Sequence, residues 1–394
     1  MRSAVSDRLI ADVPLGAFLS GGVDSTLIVA LMAELSDQRV ATFSAGFKDR
    51  AHDELPYARQ VAQAYGTNHH EFVLEPEGVD LLPNLVSQFG EPFADAAAIP
   101  MFLLSHIARK HVTVALTGDG GDECFAGYPP IVAAAMAQQF HHLPGMAGGQ
   151  IAAVLRNLGR NVPQRIRAMR WIVEMAVGTS GTYIFDPVGH SSFRGQNKAV
   201  YGPALLNDNN TDQDALYHEH WLVTRELDWA DRALYVDMMT LLPNDFLVKT
   251  DVSMMAYSME GRSPFLDLRL IELTCKIPSR QKIKGWNTKF LLKKMAERYI
   301  PREWLIRPKH GFLVPTSQWL RQDLAKLLLP ILLSPGAAKR GLTSQNFVSR
   351  LIHEHKTGQA DHGQRLWSLM ILELWMMMFV DKTLTSGDSL DQFI

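Results

Sequence analysis

Residues 18–26, Phe-Leu-Ser-Gly-Gly-Val-Asp-Ser-Thr, constrain the fold of this chain more than any other stretch. The apolar run at 13–19 reads as a buried parallel strand, and residues 27–33, apolar and free of Gly and Pro, read as a helix. Residues 20–25 therefore fall where a strand turns sharply into a helix. Gly21 and Gly22 permit a tight turn and close approach of a ligand to the main chain. The N–H groups that open the helix favour an anion, and Ser20 and Ser25 add hydroxyl donors. Asp24 is out of place beside phosphate unless it faces a cation that the phosphates share, for which Mg²⁺ is the natural candidate. The same residues would also suit a plain turn with a helix cap, since Asp and Ser are ordinary N-cap residues.

The first third of the chain repeats this alternation. Residues 2–11 read as a short amphipathic helix. Strands follow at 40–45, 70–74 and 112–116, and helices at 53–65, 79–89 and 99–111, with Gly66 placed to close the first of these. The alternation predicts a doubly wound parallel α/β sheet over residues 1–130, with ligands bound beyond the carboxyl ends of its strands. Four loops come together there: 20–25, 45–49, the turn after Leu74, and 117–123. The last reads Thr117-Gly118-Asp119-Gly120-Gly121-Asp122-Glu123. Carboxylates this crowded require a cation or hydrogen-bond donors.

From Pro129 the texture changes, and residues 131–394 read as a mostly helical part that completes the site. Helices are predicted at 133–137, 151–158, 166–177 and 231–242, the last ending at Pro243-Asn244-Asp245, with irregular structure at 186–214. In 246–267 the helical reading places Lys249, Ser253 and Tyr257 on one face and Glu260 a turn further. A Lys and a Glu in an otherwise apolar helix need a partner, each other included, or a ligand. After a helix at 289–299, residues 307–312 form a basic loop bracketed by Pro and Gly, suited to phosphate or to developing negative charge. Residues 317–381 read as helical. His190, His218 and His220 carry no chemical reading.

Composition excludes some classes. A net charge of −2 over 394 residues argues against a nucleic-acid footprint. Two cysteines, Cys124 and Cys275, form neither a zinc pattern nor a disulfide framework, which fits a reducing compartment. Residues 1–12 lack the apolar core of a signal peptide. The apolar run 366–380 is broken by Glu373 and is shorter than the ~20 residues of a spanning helix. These features predict a cytoplasmic protein without membrane or nucleic-acid partners.

Residues 20–25 resemble the PP-loop, Ser-Gly-Gly-x-Asp-Ser, of the ATP pyrophosphatases, and depart from the Walker A pattern, which ends in Gly-Lys-Ser/Thr. Taken with 117–128, 249–267 and 307–315, in that order, nearly the whole chain is similar to the synthetase domain of the class B, glutamine-type asparagine synthetases. β-Lactam synthetase, lasso-peptide cyclases and polysaccharide amidotransferases are relatives. The resemblance implies an adenine-nucleotide α-hydrolase-like fold and the use of ATP and Mg²⁺. It implies that Ser20, Gly21, Gly22, Asp24 and Ser25 bind pyrophosphate and metal, and that Phe18, Leu19, Ala45, Thr117 and Gly118 hold adenosine. Asp119, at a position where relatives carry Glu or Asp, and Asp122 would serve the metal and the reacting carboxylate. Glu260 falls in the Glu-x-Arg-x-Pro-Phe-Leu-Asp segment at the active-site edge. Lys309 matches the loop lysine that stabilises the charged states of adenylation and amide formation. Lys249 and Lys289 resemble supporting phosphate contacts.

The implied reaction activates a carboxylate, L-aspartate by default, as an acyl-adenylate with release of pyrophosphate. Ammonia or an amine then displaces AMP, so Cys124 need not be a nucleophile. A sugar acid or an intramolecular ring closure is the alternative on the same scaffold, and a non-catalytic partner subunit is the third reading. Glutamine-type enzymes begin with a glutaminase domain whose nucleophile is an N-terminal cysteine. Here residue 2 is Arg and strand 1 follows a dozen residues later, leaving no room for that domain. A fragment, a separate glutaminase chain, and the use of free ammonia or another amine all remain open, as does a homo-oligomer.

Overall fold

The computed structural model describes the chain except for residues 48–52, 75–80, 141–196, 207–214, 307–313 and 394. The helices expected at 151–158 and 166–177, most of the irregular stretch and the basic loop with Lys309 lie outside the described residues, as does His190. Five parallel strands form one sheet in the order β3-β2-β1-β4-β5: β1 Leu15–Phe18, β2 Ala41–Phe47, β3 Asn68–Leu74, β4 Val114–Leu116 and β5 Glu260–Arg262. Four of these are the expected strands.

Alternation along each strand feeds two cores, one on each face. Phe18, Phe43, Ala45, Phe47 and Ala115 enter the first, with Ile99 and Phe102 of α5 (Ala98–Ala108) and apolar residues of the C-terminal helices. Ala17, Leu19 and Leu116 enter the second, with α2 (Val23–Leu35) and α3 (Leu55–Ala64). The sheet is thus covered on both sides, as a parallel sheet must be.

β5 was not expected. Glu-Gly-Arg offers no apolar run, and the helical reading places Glu260 one turn beyond Tyr257. The helix Leu247–Met255 stops instead, and the chain turns through Ser258, whose φ is 55°, before pairing with β4. Gly261 lets that helix press on the strand, because a Cβ there would lie 2.8 Å from Met254 Sδ. The predicted end of the preceding helix at 243–245 is also corrected. Trp229–Met239 is followed by a wide turn, Leu242–Phe246, which runs directly into Leu247–Met255. Pro243 stands near the start of that turn, where its missing N–H costs little.

The remainder is helical as expected, in short pieces that include Gln345–Lys356 and Gly363–Trp375. Glu373, which interrupts the last apolar run, is buried and meets the guanidinium of Arg340. Among the described residues no helix is long and apolar enough to cross a membrane.

Candidate active site

β1 delivers the chain to residues 20–25 at the carboxyl end of the sheet. The helix cap is Gly22, and no side chain caps α2, so Asp24 and Ser25 are not there for capping. Gly21 has φ +70° and packs on the start of α3, where an added Cβ would meet main-chain atoms of Tyr57 and Ala58 at 2.8 Å. Ser20 Oγ lies 3.1 Å from Ser25 Oγ and accepts from the Gly22 N–H at 3.2 Å. The turn is therefore shaped by its own hydroxyls and is open at the helix start. Leu19 N–H donates to Phe43 O at 2.9 Å, and Leu19 O accepts from Ser44 Oγ, so both main-chain groups of Leu19 are engaged by β2. Ala45 is buried within β2.

β4 delivers the second loop. Gly118 faces Asp24, since a Cβ on it would lie 3.3 Å from the Asp24 Cβ, and Thr117 N–H donates to Arg262 O of β5 at 2.9 Å. Gly120, at φ +83°, lets the loop turn under Leu266 into α6 (Gly121–Phe125). Asp24 and Asp122, one from each loop, then meet across the ammonium of Lys289, 2.8 Å from Asp122 Oδ1 and in direct contact with Asp24 Oδ2. Burial opposes the charge on Lys289, but Asp122 and Asp24 outweigh it and raise its affinity for the proton. Asp24 Oδ1 is buried without a hydrogen-bond partner.

A second cluster lies alongside. Asp119 is half-buried and accepts from Thr117 Oγ1 at 2.8 Å and Thr250 Oγ1 at 3.0 Å. Burial raises its pKa, and those donors and the charge of Lys249 moderate the rise. Lys249 Nζ donates to Asp95 at 2.6 Å and sits 4.6 Å from the Phe246 ring centre. A cleft of about 350 Å³ lined by Glu91, Phe93, Asp95, Asn244, Asp245 and Ser368 adjoins this pair. Behind Asp122, Tyr128 O–H donates to Glu123 at 2.7 Å. Burial and the Asp122 charge push the Glu123 carboxyl up to about 7, and burial with the charges of Glu123 and Asp122 holds Asp237 well above the usual carboxylate range.

The structure thus brings together Ser20, Gly21, Gly22, Asp24, Ser25, Thr117, Gly118, Asp119, Asp122, Lys249 and Lys289. It sets Glu260 apart. Glu260 is exposed, pairs with Arg262 at 2.6 Å and stands in register with Val114, at the end of the sheet where strands begin. Lys249 and Glu260 do not pair, and Tyr257 lies past the helix end against Phe102 and His106. Asp95 and Asp237 carry no role in the sequence reading, and Thr250, Glu123 and Tyr128 enter it only as members of their motifs. Asp95 is 154 positions from Lys249, and no local pattern announces such a pairing. Cys124 is buried, and burial pushes its thiol up to about 11, unlike a nucleophile. His220 packs edge-on against Tyr235.

Residues 1–377 match the family described as asparagine synthase. A putative glutamine-hydrolyzing asparagine synthetase of Mycobacterium tuberculosis is 34% identical over 397 residues, covering 100% of this chain and 59% of the relative. The glutamine-hydrolyzing asparagine synthetase 1 of Bacillus subtilis is 31% identical over 383 residues, covering 96% of this chain and 58% of the relative. The chain therefore spans about three-fifths of the length of these curated relatives. With both strand-end loops and their lysine in place on a parallel sheet, and with a match along nearly its whole length, the chain belongs to the asparagine synthase family.

Proposed function

We propose that this chain is an ATP-dependent amide-forming ligase that activates a carboxylate, L-aspartate by default, as an acyl-adenylate. The observation that carries this reading is the meeting of the 20–25 turn and the 117–122 loop around Lys289. The turn offers helix-start N–H groups and two hydroxyls to the leaving pyrophosphate, and Lys289 and Lys249 add positive charge beside it. Asp24 and Asp122 fit Mg²⁺. Asp24 and Asp122 would hold it as two carboxylates, a number Mg²⁺ commonly takes alongside phosphate oxygens. When bound, Mg²⁺ supplies charge neutralisation on the phosphates. The orphaned Asp24 Oδ1 is a ligand atom in waiting.

In this reading the carboxylate oxygen attacks the α-phosphorus, the α–β bridging bond breaks, and pyrophosphate leaves. Ammonia or an amine then attacks the acyl carbon, loses a proton, and AMP departs. Asp119, whose pKa is raised by desolvation, is the group we assign to take that proton. The acidic cleft beside Asp95 suits the ammonium of an amino acid or an incoming amine. Lys309, from the sequence motif, stabilises the charge at phosphorus and at the acyl carbon. Glu260 is assigned no step. The nitrogen comes from free ammonia, another amine, or a glutaminase on a separate chain or segment.

Product analysis tests this. Protein, Mg-ATP, ammonium and L-aspartate are expected to give AMP, pyrophosphate and asparagine in equal amounts. AMP and pyrophosphate only with another carboxylate would keep the ligase and replace aspartate. Absence of nucleotide binding would sink the reading.

A further inference from the structure

We infer that Lys289 makes divalent-cation binding at Asp24 and Asp122 conditional on nucleotide. In the ligand-free protein its ammonium is the resident counter-ion of the two carboxylates. A cation takes the pair only when phosphates offer the ammonium another seat. The inference rests on the function proposed above, which sets those phosphates against residues 20–25.

Three observations support it. First, Lys289 Nζ already lies between Asp24 and Asp122, touching one oxygen from each loop, so a cation shared by the pair would meet its charge. Second, the lysine cannot step aside freely. Its side chain is only 5% exposed. A Cβ on Gly127 would lie 2.3 Å from Lys289 Cε and 1.7 Å from Asp122 Oδ1, so only a glycine allows this packing. Its backbone is fixed at φ 53°, with its N–H on the carbonyl of Ala126, itself at φ 59°. Two non-glycine residues in the left-handed region hold each other over the cluster, the kind of strain that persists where surroundings over-determine it. Third, the charges do not allow both cations at once. Two carboxylates and one ammonium carry one net negative charge. A divalent cation alone would turn that into a net positive charge in a buried site, which is unfavourable unless compensated. Nucleotide phosphates provide the compensation, so cation and nucleotide bind together.

The test is Mn²⁺ titration, followed by the paramagnetic resonance of free Mn²⁺, on the full chain and on Lys289→Met and Lys289→Gln. Each is measured with and without α,β-methylene-ATP, which cannot be cleaved at the α–β link. The wild type is expected to bind Mn²⁺ weakly alone and about ten- to a hundredfold more tightly with nucleotide, within the usual range of coupling between sites. Each variant that folds is expected to bind Mn²⁺ without nucleotide at least about tenfold more tightly than the wild type, with a smaller gain on adding nucleotide. Wild type that binds Mn²⁺ equally well with and without nucleotide overturns the inference, whatever the variants do. So does a folded variant that gains no nucleotide-free affinity. If the wild type binds no nucleotide even with Mn²⁺, the proposed function falls too, whereas normal Mn²⁺–nucleotide binding with no gain in the variants removes this inference alone.

Discussion

Two buried lysines divide the site, and they are held differently. Lys289 lies between carboxylates of two separate strand-end loops. Lys249 donates to one carboxylate, Asp95, with the Phe246 ring beneath its ammonium, and joins the helix Leu247–Met255 to the segment leading into α5. Burial opposes the charge of both, and neighbouring carboxylates overcome it in both. The difference is what each bridge connects. Lys289 joins loops that, on the proposed function, the nucleotide also touches, so ligand charge can replace it. Lys249 joins packed elements, so it acts as a strut. One residue type at similar depth bridges two loops in the first case and ties two helical segments together in the second.

Several substitutions would break or sharpen this contrast. Asp24→Ala removes half of the Lys289 bridge and is expected to reduce pyrophosphate release to background, measured by coupled assay. Near-normal turnover would remove Asp24 from the site. Lys249→Met removes the ammonium from the half-buried Asp95 carboxylate, which keeps the Ala97 N–H, and is expected to cost up to about 3 kcal/mol in urea unfolding. Millimolar Mn²⁺ should not restore that loss, whereas the loss in Lys289→Met should be largely restored. Equal rescue of both, or of neither, would erase the distinction. Lys309→Ala is expected to lower kcat by a factor equivalent to about 2.7–4 kcal/mol, the scale of losing an oxyanion donor, with an unchanged melting temperature.

A gentler test uses pH. Glu123 holds its proton to about pH 7 in the folded state, whereas the unfolded chain releases it in the ordinary carboxylate range. Stability therefore falls as pH rises through that window. Glu123→Gln should flatten the profile. Tyr128→Phe, which removes the donor that favours the ionised form, should extend the fall to higher pH. Urea midpoints between pH 5 and 8 would show either change. Smallest of all, Glu260→Gln breaks an exposed pair with Arg262 and should change stability by no more than about 1 kcal/mol and leave turnover unaltered. A large kinetic effect would return Glu260 to the site.

Much of this was legible in the sequence, for physical reasons. Strands β1, β2 and β4 announce themselves through short apolar runs followed by Gly, the 20–25 turn through paired glycines and one acid between a strand and a helix, and the 117–123 loop through crowded acids. What escaped depends on distance along the chain. Glu-Gly-Arg becomes a strand only because β4 offers an edge and Met254 packs above Gly261. Asp95 becomes a lysine partner only after α5 and Leu247–Met255 pack together. The burial of Asp237 behind Glu123 follows from helix Trp229–Met239 packing on α6, which no periodicity encodes.

The late arrival of β5 also bears on how the protein is made. The edge of β4, Val-Ala-Leu, has no neighbour on that side until residues 260–262 have left the ribosome. At ordinary synthesis rates of about 5–20 residues per second, the nascent sheet waits roughly 7–30 s with an apolar edge bare. Such an edge pairs readily with another chain. Translation speed and chaperone cover over that interval should therefore govern the yield of intact protein as much as the stability of the finished fold.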